Sequence, residues 1–136
     1  MRTLEQALRV LRIVHGAMLA LIAFLAVLAE SLPHSAHPAP RFVLYLLGAL
    51  GLLELAAGVV IRKLMVESAE SALQTDPADP RALFKWSAGQ LVSFALCEAI
   101  ALYGFVLRMV GAPRPYCIAF YVTGALFLLL FTPRRP

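Results

Sequence analysis

The sequence predicts an all-α polytopic membrane protein with four transmembrane helices, the second and third forming a long hairpin that projects into the cytoplasm. Three observations predict it. Of 136 residues, 61% are hydrophobic and only 15% charged, with a mean hydropathy of +0.81. A soluble domain of this size rarely carries so much apolar residue, because polar surface has to cover its core. The apolar residues also cluster into four runs, 10–32, 42–61, 86–107 and 116–131, and the basic residues gather at the ends of those runs.

Each of the first three runs can cross a hydrocarbon core of about 30 Å, which takes ~20 helical residues. The fourth is the shortest and stops at Thr132-Pro133. The first run follows Arg2, Arg9 and Arg12 and so resembles a secretory signal. It is read as a retained helix. The expected helices are about 10–32, 42–74, 80–110 and 116–131, in a single transmembrane domain covering 1–136.

Charge sets the expected orientation. Arg2, Arg9, Arg12, Arg62, Lys63, Arg81, Lys85, Arg134 and Arg135 share one side of a four-crossing chain, whereas Arg41, Arg108 and Arg114 fall on the other. The positive-inside rule then places a multi-pass protein in the cell membrane with both termini cytoplasmic. The net charge of +4 is a topology signal and gives no reason to expect a nucleic-acid partner. Trp86, Tyr45 and Tyr116 suit interfacial aromatic belts.

Helix two should continue past Ile61 through Gln74, with Leu64, Met65, Ala69 and Leu73 roughly on one face. Thr75-Asp76-Pro77 stops it, since the residue before proline disfavours the helical region. Asp79 reads as an N-cap with Pro80 at the first position of helix three. The hairpin then projects by ~13 residues, about 20 Å. Glu67, Glu70, Asp76 and Asp79 make its tip acidic, either as a solvated loop or as a dock for a cytoplasmic partner.

Two acids lie inside apolar runs: Glu54 in the second and Glu98 in the third. A carboxylate at bilayer depth costs roughly 2.5–3.5 kcal/mol on insertion scales, so an acid there marks a candidate functional site. Measured from Arg62, Glu54 lies ~12 Å inside the edge; measured from Lys85, Glu98 lies ~20 Å inside. On that reckoning they are not one pair sharing a proton. Ser93 comes level with Glu54, so Ser93 or Gln90 is the expected donor to it, leaving Tyr103 or a neighbouring protomer for Glu98. The ion- or proton-binding candidates are therefore Glu98, Glu54, Tyr103, Ser93 and Gln90.

Small residues mark the expected helix contacts. Gly48, Gly51 and Gly58 share nearly one face of helix two, with Glu54 about 60° away. Cys97, Ala101 and Gly104, preceded by Ser93, form a stripe on helix three, with Glu98 about 80–100° from its middle. Such stripes let membrane helices approach closely and suggest self-association.

The segment from Phe94 to Leu107 (FALCEAIALYGFVL) resembles the carboxylate helix of the rotary ATP synthase proteolipid, the c subunit. Cys97-Glu98-Ala99 and Ala101-Leu102-Tyr103-Gly104 carry the likeness, preceded by a glycine-containing helix and a polar loop with Pro and Arg. It covers about residues 48–110 and is specific over some ten positions. The resemblance implies that Glu98 is the ion-carrying carboxylate, with Tyr103 and Ser93 near it. The chain departs from that family in having only three glycines in the first helix of the hairpin, no acid on helix four, and Arg108 after the acid.

Other chemistry is sparse. His34 and His37, with Glu30 a turn earlier, form a His-x-x-His pattern that could bind zinc or copper, although a proline-rich loop is a poor ligand frame. His15 reads as a satisfied interfacial side chain, with haem or quinone contact as the other reading. Cys97 and Cys117 differ in depth, against a disulfide. No nucleophile–base pair or phosphate loop is present, and no cofactor is expected. The function read from the sequence is a small, non-enzymatic integral membrane protein that assembles through small-residue contacts and carries protons or a small cation on intramembrane acids. The alternative is an accessory subunit of a larger membrane complex, whose acids only hold helices together. A membrane enzyme or ligand binder using His15 or the His34/His37 loop is the third class.

Overall fold

The computed structural model describes residues 3–134. Arg2 and Arg135, two of the basic residues behind the expected orientation, lie outside them. The described chain is helical throughout, with no strand: α1 (Leu4–Ser31), α2 (Arg41–Thr75), α3 (Pro80–Met109) and α4 (Arg114–Leu130). By length and composition α1, α2 and α3 can each cross a membrane; α4, with 17 residues, is a shorter apolar helix.

Local chemistry sets the helix ends. Thr3 caps α1, its hydroxyl accepting from the Gln6 N–H at 3.3 Å. Leu32 stands before Pro33 and leaves the helical region. Asp79 caps α3, accepting from the Arg81 N–H at 2.9 Å, with Pro80 in the first turn, where its missing N–H costs nothing. At the other end of α3, Gly111 takes φ +87°. Its N–H donates to Arg108 O (3.2 Å) and the Ala112 N–H donates to Leu107 O (2.9 Å), the paired bonds of a Schellman stop. The 32–40 loop lies over this turn, with Ser35 N–H on Met109 O and Ala39 N–H on Gly111 O, both 3.3 Å. A Cβ on Gly111 would collide with the His37 carbonyl, so both the conformation and the close approach require glycine.

Inside α2, residues Arg62–Glu67 form a π-helix before α-helix resumes at Ser68–Thr75. The wider turn rotates every following side chain relative to an unbroken helix. The expected hairpin face holds at Ala69 and Leu73, both buried, and is corrected at Leu64, which is 65% exposed while Val66 is fully buried. The shift seats Val66 against Gly89 of α3, where a Cβ would come within 2.9 Å of Val66 Cγ2 and 2.8 Å of Met65 Cβ. Trp86 needs a second correction. It is 0% exposed and donates its indole N–H to Glu70 Oε1 at 3.3 Å, so it is a hairpin core residue and no lipid-facing belt.

The bundle is organised on α3. Half of its most apolar window is buried, against 22% for α1 and 11% for α2. It packs on all three other helices, and α1 also meets α4. Backbone neighbours of α2 come from α3 alone; Phe120 of α4 lies over Gly51 and Phe131, just past the end of α4, over Gly58. Gly104 and Gly124 let α3 and α4 touch backbone to backbone, since added Cβ atoms would lie 2.9 Å from Cys117 O and 2.7 Å from Cys97 O. Cys97 and Cys117 are buried and free.

His15 closes the other side of α4. It is buried, its ring tilted against Phe94 at 5.3 Å, and its Nε2 lies 2.8 Å from Leu128 O. A carbonyl can only accept, so Nε2 carries the proton and satisfies one of the orphan carbonyls of the last turn of α4. His15→Ala should therefore lower stability by about 1–3 kcal/mol, the usual range for stranding a buried acceptor. Thermal unfolding in detergent, followed by fluorescence of the single Trp86, measures it. An unchanged midpoint would show that water replaces the imidazole.

Candidate functional site

The polar groups within the apolar helices sort onto different faces of α3. Tyr103 donates its hydroxyl proton to Glu54 Oε1 at 2.6 Å, bridging α3 and α2 on a half-buried seam. Ser93, the donor expected from the sequence, instead bonds its own helix through Gly89 O at 2.8 Å. Gln90 Oε1 accepts from Arg62 Nη1 at 3.4 Å, and the Arg62 guanidinium also lies 5.0 Å from the centre of the Phe131 ring. The expected Glu54–Ser93 and Glu54–Gln90 pairings are both corrected. So is the assignment of Tyr103 to Glu98.

The reason is the reference level. Arg62 meets Gln90, five residues farther along α3 than the Lys85 used as the depth mark (90 − 85 = 5), a shift of about 8 Å. From the Arg62–Gln90 contact, Glu54 lies eight residues back along α2 (62 − 54) and Glu98 eight residues on along α3 (98 − 90), so the two acids are at one level. Side-chain direction then selects the partner. Helical side chains lean toward their own N-terminus, and α2 and α3 run antiparallel. Glu54 leans toward the level of Tyr103, and Tyr103 leans back to meet it.

Glu98 stands elsewhere. It is 7% exposed, and neither carboxyl oxygen has a hydrogen-bond partner. It follows Phe94 by one turn and so shares the face that packs on His15 of α1. The His15–Phe94 and Glu30–Arg108 contacts give offsets of 79 (94 − 15) and 78 (108 − 30), which put Glu98 level with residues 19–20 of α1, Leu19 and Ala20. Neither carries a side-chain donor. The second oxygen of Glu54 and the amide nitrogen of Gln90 are also without partners.

The small-residue positions divide. Cys97, Ala101 and Gly104 meet α4, around Gly124 and Cys117. Gly51 receives Phe120 of α4 and Gly58 receives Phe131 just past its end, but a Cβ on Gly48 would meet nothing within 4 Å. At the far end, Glu30 is held by Arg108 through Nε (3.1 Å) and Nη2 (3.4 Å), with Arg114 Nε at 3.6 Å. Glu30 is thus committed to guanidinium groups, and His34 and His37 belong to no cluster of three metal-ligating side chains among the described residues. The tip acids also have internal partners: Glu70 takes the Trp86 N–H, and Asp76 Oδ1 accepts from the Ala78 N–H at 3.0 Å.

Sequence reasoning missed Gly89, Gly124 and the Arg62–Gln90 contact. Gly124 stands in the apolar run of helix four and was legible as a small residue; the roles of Gly89 and Arg62 depend on how α2 and α3 are offset.

Fold and site together define a class: an all-helical protein with several apolar helices compatible with a small integral membrane protein, carrying two acids in those helices. No family model, curated protein or solved structure matches the chain.

Proposed function

We propose that this is a non-enzymatic integral membrane protein in which the Glu54–Tyr103 pair takes up and releases a proton at membrane depth, while Glu98 is a sealed packing carboxyl. The observation behind this reading is the contrast between the two acids at one level. Glu54 is a half-buried residue with a phenolic donor on one oxygen, its second oxygen being buried and unpartnered; Glu98 is buried as a whole residue and has no donor on either oxygen. The proteolipid likeness would give the ion to Glu98, so the two assignments are separable by experiment. On this reading both termini lie in the cytoplasm, which the distribution of basic residues supports.

Carbodiimide labelling in native membranes, mapped by mass spectrometry, tests the proposal. The reagent modifies protonated carboxyls, so Glu54 should label and lose labelling as pH rises, and Tyr103→Phe should change that pH dependence. Labelling at Glu98 alone would transfer the role to Glu98. Labelling at neither would end the proton-carrying reading.

The second reading is an accessory subunit whose acids only hold helices together. The observation in its favour is that α2 has backbone neighbours only from α3 and leaves Leu46, Leu53 and Val60, spaced seven residues apart, exposed on one face. A partner helix would cover that face. Under this reading carbodiimide leaves both acids unmodified, and a second protein co-purifies with the chain.

A further inference from the structure

We propose that the cleft between α2 and α4, at the end of the bundle carrying the 32–40 loop, binds one phospholipid with an anionic head group, its phosphate at Arg41 and one acyl chain along the groove below. Two cavities make up this cleft and share Leu44 and Tyr45. The upper one, about 360 Å³, lies among Pro38, Arg41, Pro113 and Tyr116. The lower one, about 510 Å³, is walled by Gly48, Gly51, Leu52, Leu55, Ile100 and Phe120. Both fall within the ~300–1,000 Å³ of ordinary ligand sites.

Three features choose the occupant. The first is charge. Glu30 takes Arg108 and Arg114, whereas Arg41 is exposed and makes no ion pair with any described carboxylate. The cleft mouth therefore holds an uncompensated cation, and α2 and α4 both begin beside it, after Pro40 and Pro113, without a side-chain cap. An anion there meets the positive ends of two helix dipoles as well as the guanidinium.

The second feature is length. From Leu44 to Leu55 the groove follows eleven residues of α2 (55 − 44 = 11), about 16 Å, or roughly half of a ~30 Å hydrocarbon core. That is the reach of one leaflet and suits an acyl chain; a packed helix would need a groove running the full depth. The third feature is the flanking pair Tyr45 and Tyr116, 70% and 50% exposed, at the level where amphipathic rings meet lipid head groups. Gly48 keeps the groove open, since its Cβ position faces empty space.

Native mass spectrometry of the full chain in detergent, titrated with phosphatidylglycerol and separately with phosphatidylcholine, tests this. One phosphatidylglycerol should be retained at lower concentration than phosphatidylcholine, and Arg41→Gln should weaken it roughly fivefold, the effect of one basic residue near an anionic head group. Gly48→Leu should fill the groove and release the lipid while leaving the Trp86-monitored unfolding midpoint unchanged, which separates occupancy from folding. Equal retention of the two lipids would overturn the head-group assignment. Undiminished binding in Gly48→Leu would overturn the groove, as would a dimer that Gly48→Leu dissociates without affecting lipid retention.

Discussion

Gly124→Leu is expected to prevent the protein from accumulating in folded form. A Cβ at Gly124 would lie 2.7 Å from Cys97 O and 3.3 Å from the backbone nitrogen and Cβ of Ala101. Two of those three atoms are backbone of a long helix and cannot rotate away. The helices would have to separate along their seam, opening the contact that also seats Gly104 on Cys117. Overpacking in a filled core costs typically 1–3 kcal/mol. With rigid backbone on the receiving side the cost should reach at least about 3 kcal/mol, a large fraction of the ~5–15 kcal/mol that holds a domain together. Gly16→Leu is the control, because nothing lies within 4 Å of that Cβ. It should stay within about 0.5 kcal/mol of the parent. Folded yield and the Trp86 unfolding midpoint in detergent decide the matter. If both glycine variants behaved alike, the α3–α4 seam would not be the close contact described.

Glu98→Met is expected to do the opposite and raise stability by about 2 kcal/mol. Both oxygens of Glu98 are buried without partners, and a stranded buried polar group costs about 1–3 kcal/mol. Methionine has similar length and no group to strand. The matched change at the other acid should have the reverse sign. Glu54→Met also removes a buried unpartnered oxygen, but it strands the Tyr103 hydroxyl, a cost of similar size, and breaks a link between α2 and the rest of the bundle. The expected net loss is about 0.6–1.7 kcal/mol, that of a hydrogen bond between membrane helices. Unfolding midpoints of the two variants in one detergent provide the test. A destabilising Glu98→Met would mean that Glu98 is paired in the membrane, by an ion or by another chain, and the sealed-carboxyl assignment would fall.

Opposite signs for two glutamates at one level illustrate what sequence could and could not deliver. Both acids were visible at once, because a carboxylate inside an apolar run is costly wherever the run packs. Their partners were not. Pairing depends on which residues of α2 and α3 stand side by side, a register visible only in contacts between distant residues such as Arg62–Gln90 and Tyr103–Glu54. Reckoning depth from Lys85 rather than Gln90 moved Glu98 by about 8 Å and brought Ser93 forward in place of Tyr103. Trp86 went the same way: an aromatic near the end of an apolar run suggests an interfacial belt, yet the hairpin closes over it.

What the sequence determined by itself was the helical class and the turn between helices two and three, because hydropathy and capping act over a few neighbouring residues; the start of helix one, expected at about residue 10, lies at Leu4. Asp79-Pro80 set their boundary through backbone chemistry legible in the sequence, whereas the cap at Thr3 and the stop at Gly111 emerged with the structure. What only the tertiary structure decided was which face each helix turned to which neighbour. The central position of α3, the backbone contacts at Gly104 and Gly124, the Tyr103–Glu54 bond and the open side of Gly48 all follow from rotation and offset between helices. An apolar helix in an apolar surrounding carries little local signal for either, and close packing at a few small residues supplies it.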